Sequence, residues 1–543
     1  MKARACRAAI RAAAAVVAVL FAADAAAADA VALAKSFDDV RAVSDGVCRI
    51  TSVSLRLKGD PEGKDPLEMW RAEAKENVTV TDAFVRVDFT LVPEKGSDIK
   101  CRAALPLPEK WNGRLWGEGN SGRAGSIPKA VDSYIAGNSA AVTTDLGTTA
   151  AGPKFLDKSI PWPDGVLRDF HWRATHLMTV YGKKIVKAFY GRPCDHAYFR
   201  GGSTGGRQGM SEALRFPEDY DGIVSVLPDN NAAVSDLALW HLWGQTHDAD
   251  GNALFSKEDL VAVADAAVEY MSKTDPKPYA GHVVADGRFS EKDIDGFLAL
   301  AAERRPAIAE GDRIQRLKAL YMPLVHNGRC YFTGFAPGTN HAVNYHWGSL
   351  LSIPHFLAGK GYKQDRWKDV CFDQINMYMR EHSPEFNACS TDLSAFVKRG
   401  GKIIMTTGWE DQTIPPGPII DYYERVCEAH GGIGEVSKFM RLFCIPGCAH
   451  GGGKGRLLTG SPSGGQLNKL LVDWCENGKA PEKIFVKWRD GSVTMPVAPY
   501  PGLYYQDDAG KWKVRQQPRG VPRIDALCLE TKTTGLESPA EGK

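Results

Sequence analysis

Excess charge of either sign is missing from this chain: 67 basic and 65 acidic residues leave a formal net charge of +2, with no basic tail and no long like-charge run. Nucleic acids and anionic membrane surfaces are gripped by clustered cations, so neither partner is expected. Metal-binding patterns are also missing, with no CxxC, no HExxH and no Cys/His spacing of the zinc type. His171 and His176 lie five residues apart, which does not align two ligands along one helix side, so both are read as structural histidines. Beyond the N-terminus no stretch is long and apolar enough to cross a bilayer. Repeats are absent, and low complexity is confined to the N-terminal region and the polar C-terminal tail.

The N-terminus differs from the rest of the chain. Lys2, Arg4, Arg7 and Arg11 precede an apolar stretch over 12–22, and Ala26, Ala27 and Ala28 offer small residues for cleavage. Basic, apolar and small-residue regions in that order predict a secretory signal over 1–28, and a secreted or periplasmic mature protein. Of 12 cysteines, Cys6 leaves with the signal, and in an oxidising compartment most of the remainder should pair. Cys48 with Cys101, and Cys475 with Cys528, are candidates for such bridges, although sequence alone leaves the pairing open.

A chain of 543 residues exceeds what one ordinary core supports, so a domain with a large insertion is expected. Between 47 and 142 the alternation of Asn77-Val78-Thr79-Val80 and of Phe84-Val85-Arg86-Val87-Asp88-Phe89 predicts half-buried strands. Apolar spacing predicts a helix over 169–190, then a short strand at Ala197-Tyr198-Phe199-Arg200, a glycine-rich turn, and a second helix from about Gly206. Residues 230–395 are helical and irregular in pattern, with Trp240, His241, Trp243, His346, Trp347 and His355 scattered through them. For any single one of these aromatic residues, core packing is the better reading. After Asp392 buried strands return at Lys402–Met405 and Met440–Phe443, around a helix near 419–429. The fold class is therefore α/β, with a sheet-bearing domain over 29–229 and 396–543 and a mainly helical insertion over 230–395.

Gly201-Gly202-Ser203-Thr204-Gly205 matches G-x-S-x-G, and it lies between an apolar strand and a helix. A nucleophilic serine needs that strained strand-to-helix turn to project its hydroxyl clear of the sheet. It also needs a base and an acid that orients the base. Asp411, in GWEDQTIPP after one strand, and His450, in PGCAHGGG after the next, follow Ser203 in the Ser–Asp–His order of α/β-hydrolases. Glu410 is the rival acid. For the oxyanion, backbone N–H donors are expected from Thr204 and from the Gly119–Asn120 stretch of the GEGNSG loop. That loop carries a competing reading, since Gly117, Gly119 and Gly122, with Asp145 further on, form a dinucleotide-binding fingerprint. Against an exported oxidoreductase stand Pro128, which interrupts the required helix, and the scarcity of free NAD outside the cell. An inactive binding protein on the same fold is disfavoured because all the triad positions are filled.

Together, WNGRLWGEGNSGRAGSI, YFRGGSTGGRQGMSEALRFPEDYDGIV, DLSAFVKRGGKIIMTTGWEDQTIPPGPIIDYYERV and FMRLFCIPGCAHGGG resemble the tannase/feruloyl esterase family, which includes a terephthalate-monoester hydrolase. The resemblance implies an α/β-hydrolase core with a lid inserted after the nucleophile helix. It also implies hydrolysis of small esters of hydroxycinnamic, gallic or related aromatic acids. Two family features are missing. The cysteines that join the serine and histidine loops are replaced by Gly202 and Gly451, forgoing about 4–5 kcal/mol in the chain-entropy model. Cys448 is expected to pair elsewhere, with Cys194 as one candidate. The family's lid calcium site is expected to be absent, because TDPKPYAGHVVADGRFSEKD offers only Asp275, Asp286 and scattered acids. The loop from His247 to Gly251 fails the EF-hand template, with Thr246 and Lys257 where acidic ligands belong. No cofactor is expected.

Overall fold

Apolar runs set a central sheet, seen here in a computed structural model that describes residues 31–60, 80–122, 125–127, 134–149, 163–279, 281–345, 356–357, 360–361, 370–451, 464–488 and 494–534. The signal expected over 1–28, the residues 77–79 expected in a strand, Pro128, His346, Trp347 and His355 lie outside the described residues.

In chain order the strands are β1 (Cys48–Arg56), β2 (Phe84–Leu91), β3 (Ile99–Pro106), β4 (Arg114–Glu118), β5 (Ala140–Thr144), β6 (His196–Gly202) and β7 (Gly222–Val226). A small hairpin, β8 (Leu324–His326) and β9 (Arg329–Phe332), precedes β10 (Lys402–Gly408) and β11 (Met440–Ile445). The nine-stranded sheet has the order β1-β2-β3-β5-β4-β6-β7-β10-β11. β1, β2, β3 and β5 pair antiparallel, and from β5 through β11 every pairing is parallel. Parallel strands are covered on both faces, which is why β5 and β7 are buried throughout. On one face lie α1 (Ala174–Tyr190) and α2 (Thr204–Arg215), with Leu177, Ile185 and Met210 in the core; α9 (Gly464–Asn477) covers the other through Leu467, Leu471 and Trp474. The helix expected over 169–190 begins with a π-helical turn, Asp169–Arg173.

Between β7 and β10 come α3 (Ala232–Thr246), α4 (Lys257–Met271), α5 (Glu291–Arg304), α6 (Arg313–Tyr321) and α7 (Phe372–Glu381); α8 (Pro416–Ala429) follows β10. Ser256 with Asp259 and Ser290 with Asp293 form capping boxes that start α4 and α5. These helices build a core of their own around Leu237, Phe297, Leu317 and Tyr378. Ile524 and Cys528, from the tail assigned by sequence to the catalytic domain, join that lid core. The tail is pinned by Asp525 N–H donating to the Cys330 carbonyl at 2.7 Å, and by Arg523 on Asp421 at 3.0 Å. Among the lid aromatics, Trp240 meets Phe372 edge-on and Trp243 stacks on His247, which is packing within the lid.

The expected disulfides are not formed, and all eleven cysteines of the described residues are free thiols. Cys48 lies opposite Leu91 and Cys101 opposite Phe89, so β2 separates them. Two inter-strand spacings, roughly 9.5 Å, exceed the reach of a disulfide. Cys475 contacts the Asp221 carbonyl beside the sheet, whereas Cys528 sits in the lid core. Cys448 and Cys194 pack on opposite faces of the sheet.

Candidate active site

The C-terminal ends of β6, β7 and β10 are in register, with Gly202 opposite Val226 and Val226 opposite Thr406. The loops that leave these ends therefore meet in one place, where ligands bind in open α/β sheets. Ser203 stands between β6 and α2 with φ 58° and ψ −122°, a conformation that side-chain-bearing residues avoid. Such strain costs on the order of 1–3 kcal/mol. Its backbone is fixed on both sides: the N–H donates to Val226 O at 2.9 Å, and the carbonyl accepts from Arg207 and Asp229, each at 3.1 Å. The glycines permit a close crossing. A Cβ on Gly201 would lie 2.4 Å from the Gly205 carbonyl, and one on Gly205 would lie 2.7 Å from Asn120 O.

His450 Nε2 lies 3.0 Å from Ser203 Oγ, and His450 Nδ1 lies 2.9 Å from Asp411 Oδ2. The other oxygen of Asp411 accepts the N–H of Thr413 at 2.9 Å and of Ile414 at 2.7 Å, which locks a fully buried carboxylate. Gln412 Oε1 accepts the His450 N–H at 3.1 Å, tying the acid loop to the histidine loop. Gly408 lets those loops touch, since a Cβ there would come 2.3 Å from the Cys448 carbonyl. His450 Nδ1 is taken by Asp411, and the Glu410 side chain lies against Gly338 of the lid. Ser203, His450 and Asp411 are thus brought together, and the rival acid is not.

The loop expected to serve the oxyanion differs in detail. Gly119 N–H donates to Arg200 O at 2.8 Å, extending the sheet, and Asn120 N–H donates to Gln208 Oε1 at 2.8 Å. Both donors are occupied, so the Gly119–Asn120 assignment is corrected: these residues position the loop. Asn120 also accepts the Gly205 N–H at 2.9 Å, and Thr204 Oγ1 donates to Gly122 O at 2.6 Å, which ties the loop to the start of α2. Thr204 opens α2, where backbone N–H groups have no intrahelical acceptor. The dinucleotide reading fails here. The loop packs against α2, where a Cβ on Gly119 would meet Gly205 Cα at 2.7 Å, and Asp145 Oδ1 accepts the N–H of Lys100 and of Gly147, each at 2.8 Å.

Burial opposes protonation of His450, but the charge and hydrogen bond of Asp411, with a further push from Asp229, raise its pKa above the ordinary histidine value. Asp229 follows β7 and is buried, which pushes its carboxyl up to about 6 against the pull of Ser235, Arg207 and His450. Arg207 is fully buried on α2, stacked on Phe386 at 4.4 Å, and donates to His171 O at 2.8 Å. His171 itself packs against Phe386 and His382, and burial holds it well below the usual histidine pKa.

The sequence profile described as "Tannase and feruloyl esterase" matches this chain over residues 85–293 and 360–516. The chain belongs to that family. As a tannase and feruloyl esterase family member it is a carboxylic ester hydrolase of the α/β-hydrolase fold. It is 29% identical over 451 residues to a probable feruloyl esterase B-2 of Aspergillus flavus, across 76% of this chain and 81% of the relative. Feruloyl esterase B of Aspergillus niger is 29% identical over 401 residues, covering 69% and 74% of the two chains. Among solved structures, feruloyl esterase B from Aspergillus oryzae superposes with a TM-score of 0.74 at 21% identity, over 89% of this chain and 100% of that one. Tannin acyl hydrolase from Aspergillus niger gives 0.65 at 17% identity, over 94% and 99%.

Within this family member several site residues escaped the sequence reading. Gln412 and Gln208 act through side-chain carbonyls, which no motif announces. The signal for Asp229 was the polar Asp229-Asn230-Asn231 directly after an apolar strand. In the lid, Asp286 pairs with Arg288, its Oδ1 at 2.8 Å from Nε, and Asp275 accepts the Ala285 N–H at 2.9 Å. A cavity of about 270 Å³ between Arg288, Tyr321, Phe335, Trp409 and Pro416 is lined by neither Ser203 nor His450.

Proposed function

We propose that this enzyme is an exported serine esterase that cleaves esters of hydroxycinnamic, gallic or related aromatic acids through Ser203, His450 and Asp411. The observation that carries the reading is the hydrogen-bonded chain from Ser203 Oγ through His450 to Asp411, set on a strained strand-to-helix turn. His450 Nε2 takes the Ser203 proton as Oγ attacks the ester carbonyl. Asp411 holds the imidazole and stabilises the imidazolium that forms. The oxyanion is met by the Thr204 N–H at the start of α2 and by a second donor from the GEGNSG loop that packs against it. His450 returns the proton to the departing alcohol. Water, activated by the same histidine, then releases the acid from the acyl-serine.

The aromatic acid class is supported by the names of the relatives, which are feruloyl esterases and a tannin acyl hydrolase. Export is supported by the basic, apolar and small-residue order of residues 1–28. Among the described residues no helix is long and apolar enough to cross a membrane. The test is hydrolysis of methyl ferulate, methyl gallate and p-nitrophenyl acetate by the purified protein. Turnover of an aromatic-acid ester is the expected result. Activity confined to the acetate would contradict the substrate class while keeping the esterase.

A further inference from the structure

On the side of α2 away from Ser203 a second set of polar residues is buried. His176 of α1, Glu212 in the last turn of α2 and Asp219 in the loop after it each offer a ligand atom within 4.8 Å of the others. All three are nearly sealed from solvent, with exposures of 3%, 1% and 6%. His176 Nδ1 lies 2.7 Å from Asp219 Oδ2, and the ring stacks on Phe216 at 3.7 Å between centroids. No donor group reaches either carboxyl oxygen of Glu212 among the described residues, and the polar group it faces is another carboxyl, that of Asp219. Two carboxylates and an imidazole thus converge in an interior that penalises uncompensated charge.

The cations whose charge reaches Glu212 do not neutralise it by contact. Arg215 donates to Ser211 Oγ and to the carbonyls of Lys532, Glu385 and Asn387. Lys183 Nζ donates to the Glu218 carbonyl at 3.0 Å. What the site lacks is a compact positive charge that accepts several ligands at once.

We propose that His176, Glu212 and Asp219 bind one divalent metal ion of the imidazole-and-carboxylate class, with Zn²⁺ the best fit. A mixed nitrogen and oxygen donor set suits zinc, with a water molecule as fourth ligand beside the three protein ligands, whereas calcium and magnesium prefer oxygen alone. The ion joins α1 to the C-terminal end of the nucleophile helix, so its role is structural, and it takes no part in ester cleavage. This departs from the expectation of no metal drawn from sequence. The five-residue gap between His171 and His176 was uninformative because the other ligands come from α2 and its following loop.

The test uses the full mature protein, stripped with a chelator and then titrated with ZnCl₂, with metal content and thermal unfolding as readouts. One equivalent of tightly held zinc is expected, together with a melting temperature that rises with zinc concentration, because an ion that binds only the folded state stabilises it. Glu212→Gln should take up none and show no zinc-dependent rise, while Ser203→Ala should bind as the parent does. A parent protein that retains no zinc and melts at the same temperature with or without it would overturn the proposal and leave a proton on Glu212 as the compensation. Equal uptake by Glu212→Gln would overturn it too. Should that variant not fold, the stripped parent protein alone decides between these outcomes.

Discussion

Ser203 combines an unfavourable backbone conformation with hydrogen bonds that over-determine it, and its hydroxyl is aimed at His450. Ser203→Ala should lower kcat by at least about 10³-fold, with an unfolding midpoint close to that of the parent. Asp411 and Glu410 are adjacent in sequence but not in role. Asp411→Asn is expected to reduce kcat by about 10⁴-fold through loss of the imidazolium's partner, and Glu410→Gln should leave it within a few-fold. Steady-state kinetics on both variants checks this. Asp229 adds a pH dependence. Its carboxyl is raised to about 6, above its ordinary value of 3.8, so the folded state holds that proton to higher pH than the unfolded state does. Stability is therefore lost as pH rises from the ordinary aspartate range through about 6. Asp229→Asn should exceed the parent in urea midpoint at pH 8 and not at pH 4. It should also shift the acidic limb of kcat/KM to lower pH, because Asp229 helps raise the pKa of His450.

At the scale of elements, the GEGNSG loop and α2 approach so closely that glycine is required on both sides. Gly205→Ala would drive a Cβ to 2.7 Å from Asn120 O, a backbone atom that cannot swing aside. The expected outcome is a loss of about 1–3 kcal/mol in stability, with a larger fall in kcat than in substrate affinity, measured by denaturant unfolding and kinetics. Strands such as β2 and β10 and the Ser–Asp–His order were legible because apolar period and chain order are properties of sequence. The oxyanion donors were not. Whether Gly119 N–H faces a substrate or Arg200 O depends on the register between β4 and β6, which a glycine-rich string does not encode. Disulfide partners failed for a related reason, since Cys48 and Cys101 share a sheet but are kept apart by the strand between them.

At the scale of the molecule, the helical insertion has its own core, meets the acid loop where Asn344 Nδ2 donates to the Gln412 carbonyl at 3.1 Å, and is completed by the C-terminal tail. Ile524 is 2% exposed within it, so Ile524→Ala should destabilise the protein by about 2–4 kcal/mol. Chemical denaturation measures that loss, and the turnover of molecules that remain folded should be preserved. The insertion was legible as a break in strand pattern. The return of the tail to it was not, because the contact of Asp525 with Cys330 joins segments far apart in the chain. The proposed mechanism turns on a covalent bond at Ser203. The most direct measurement is mass spectrometry of the enzyme quenched during turnover of methyl ferulate. A feruloyl adduct is expected on the peptide that contains Ser203, and none in Ser203→Ala. Hydrolysis that proceeds in Ser203→Ala at the parent rate, or an acyl group carried on another residue, would contradict it.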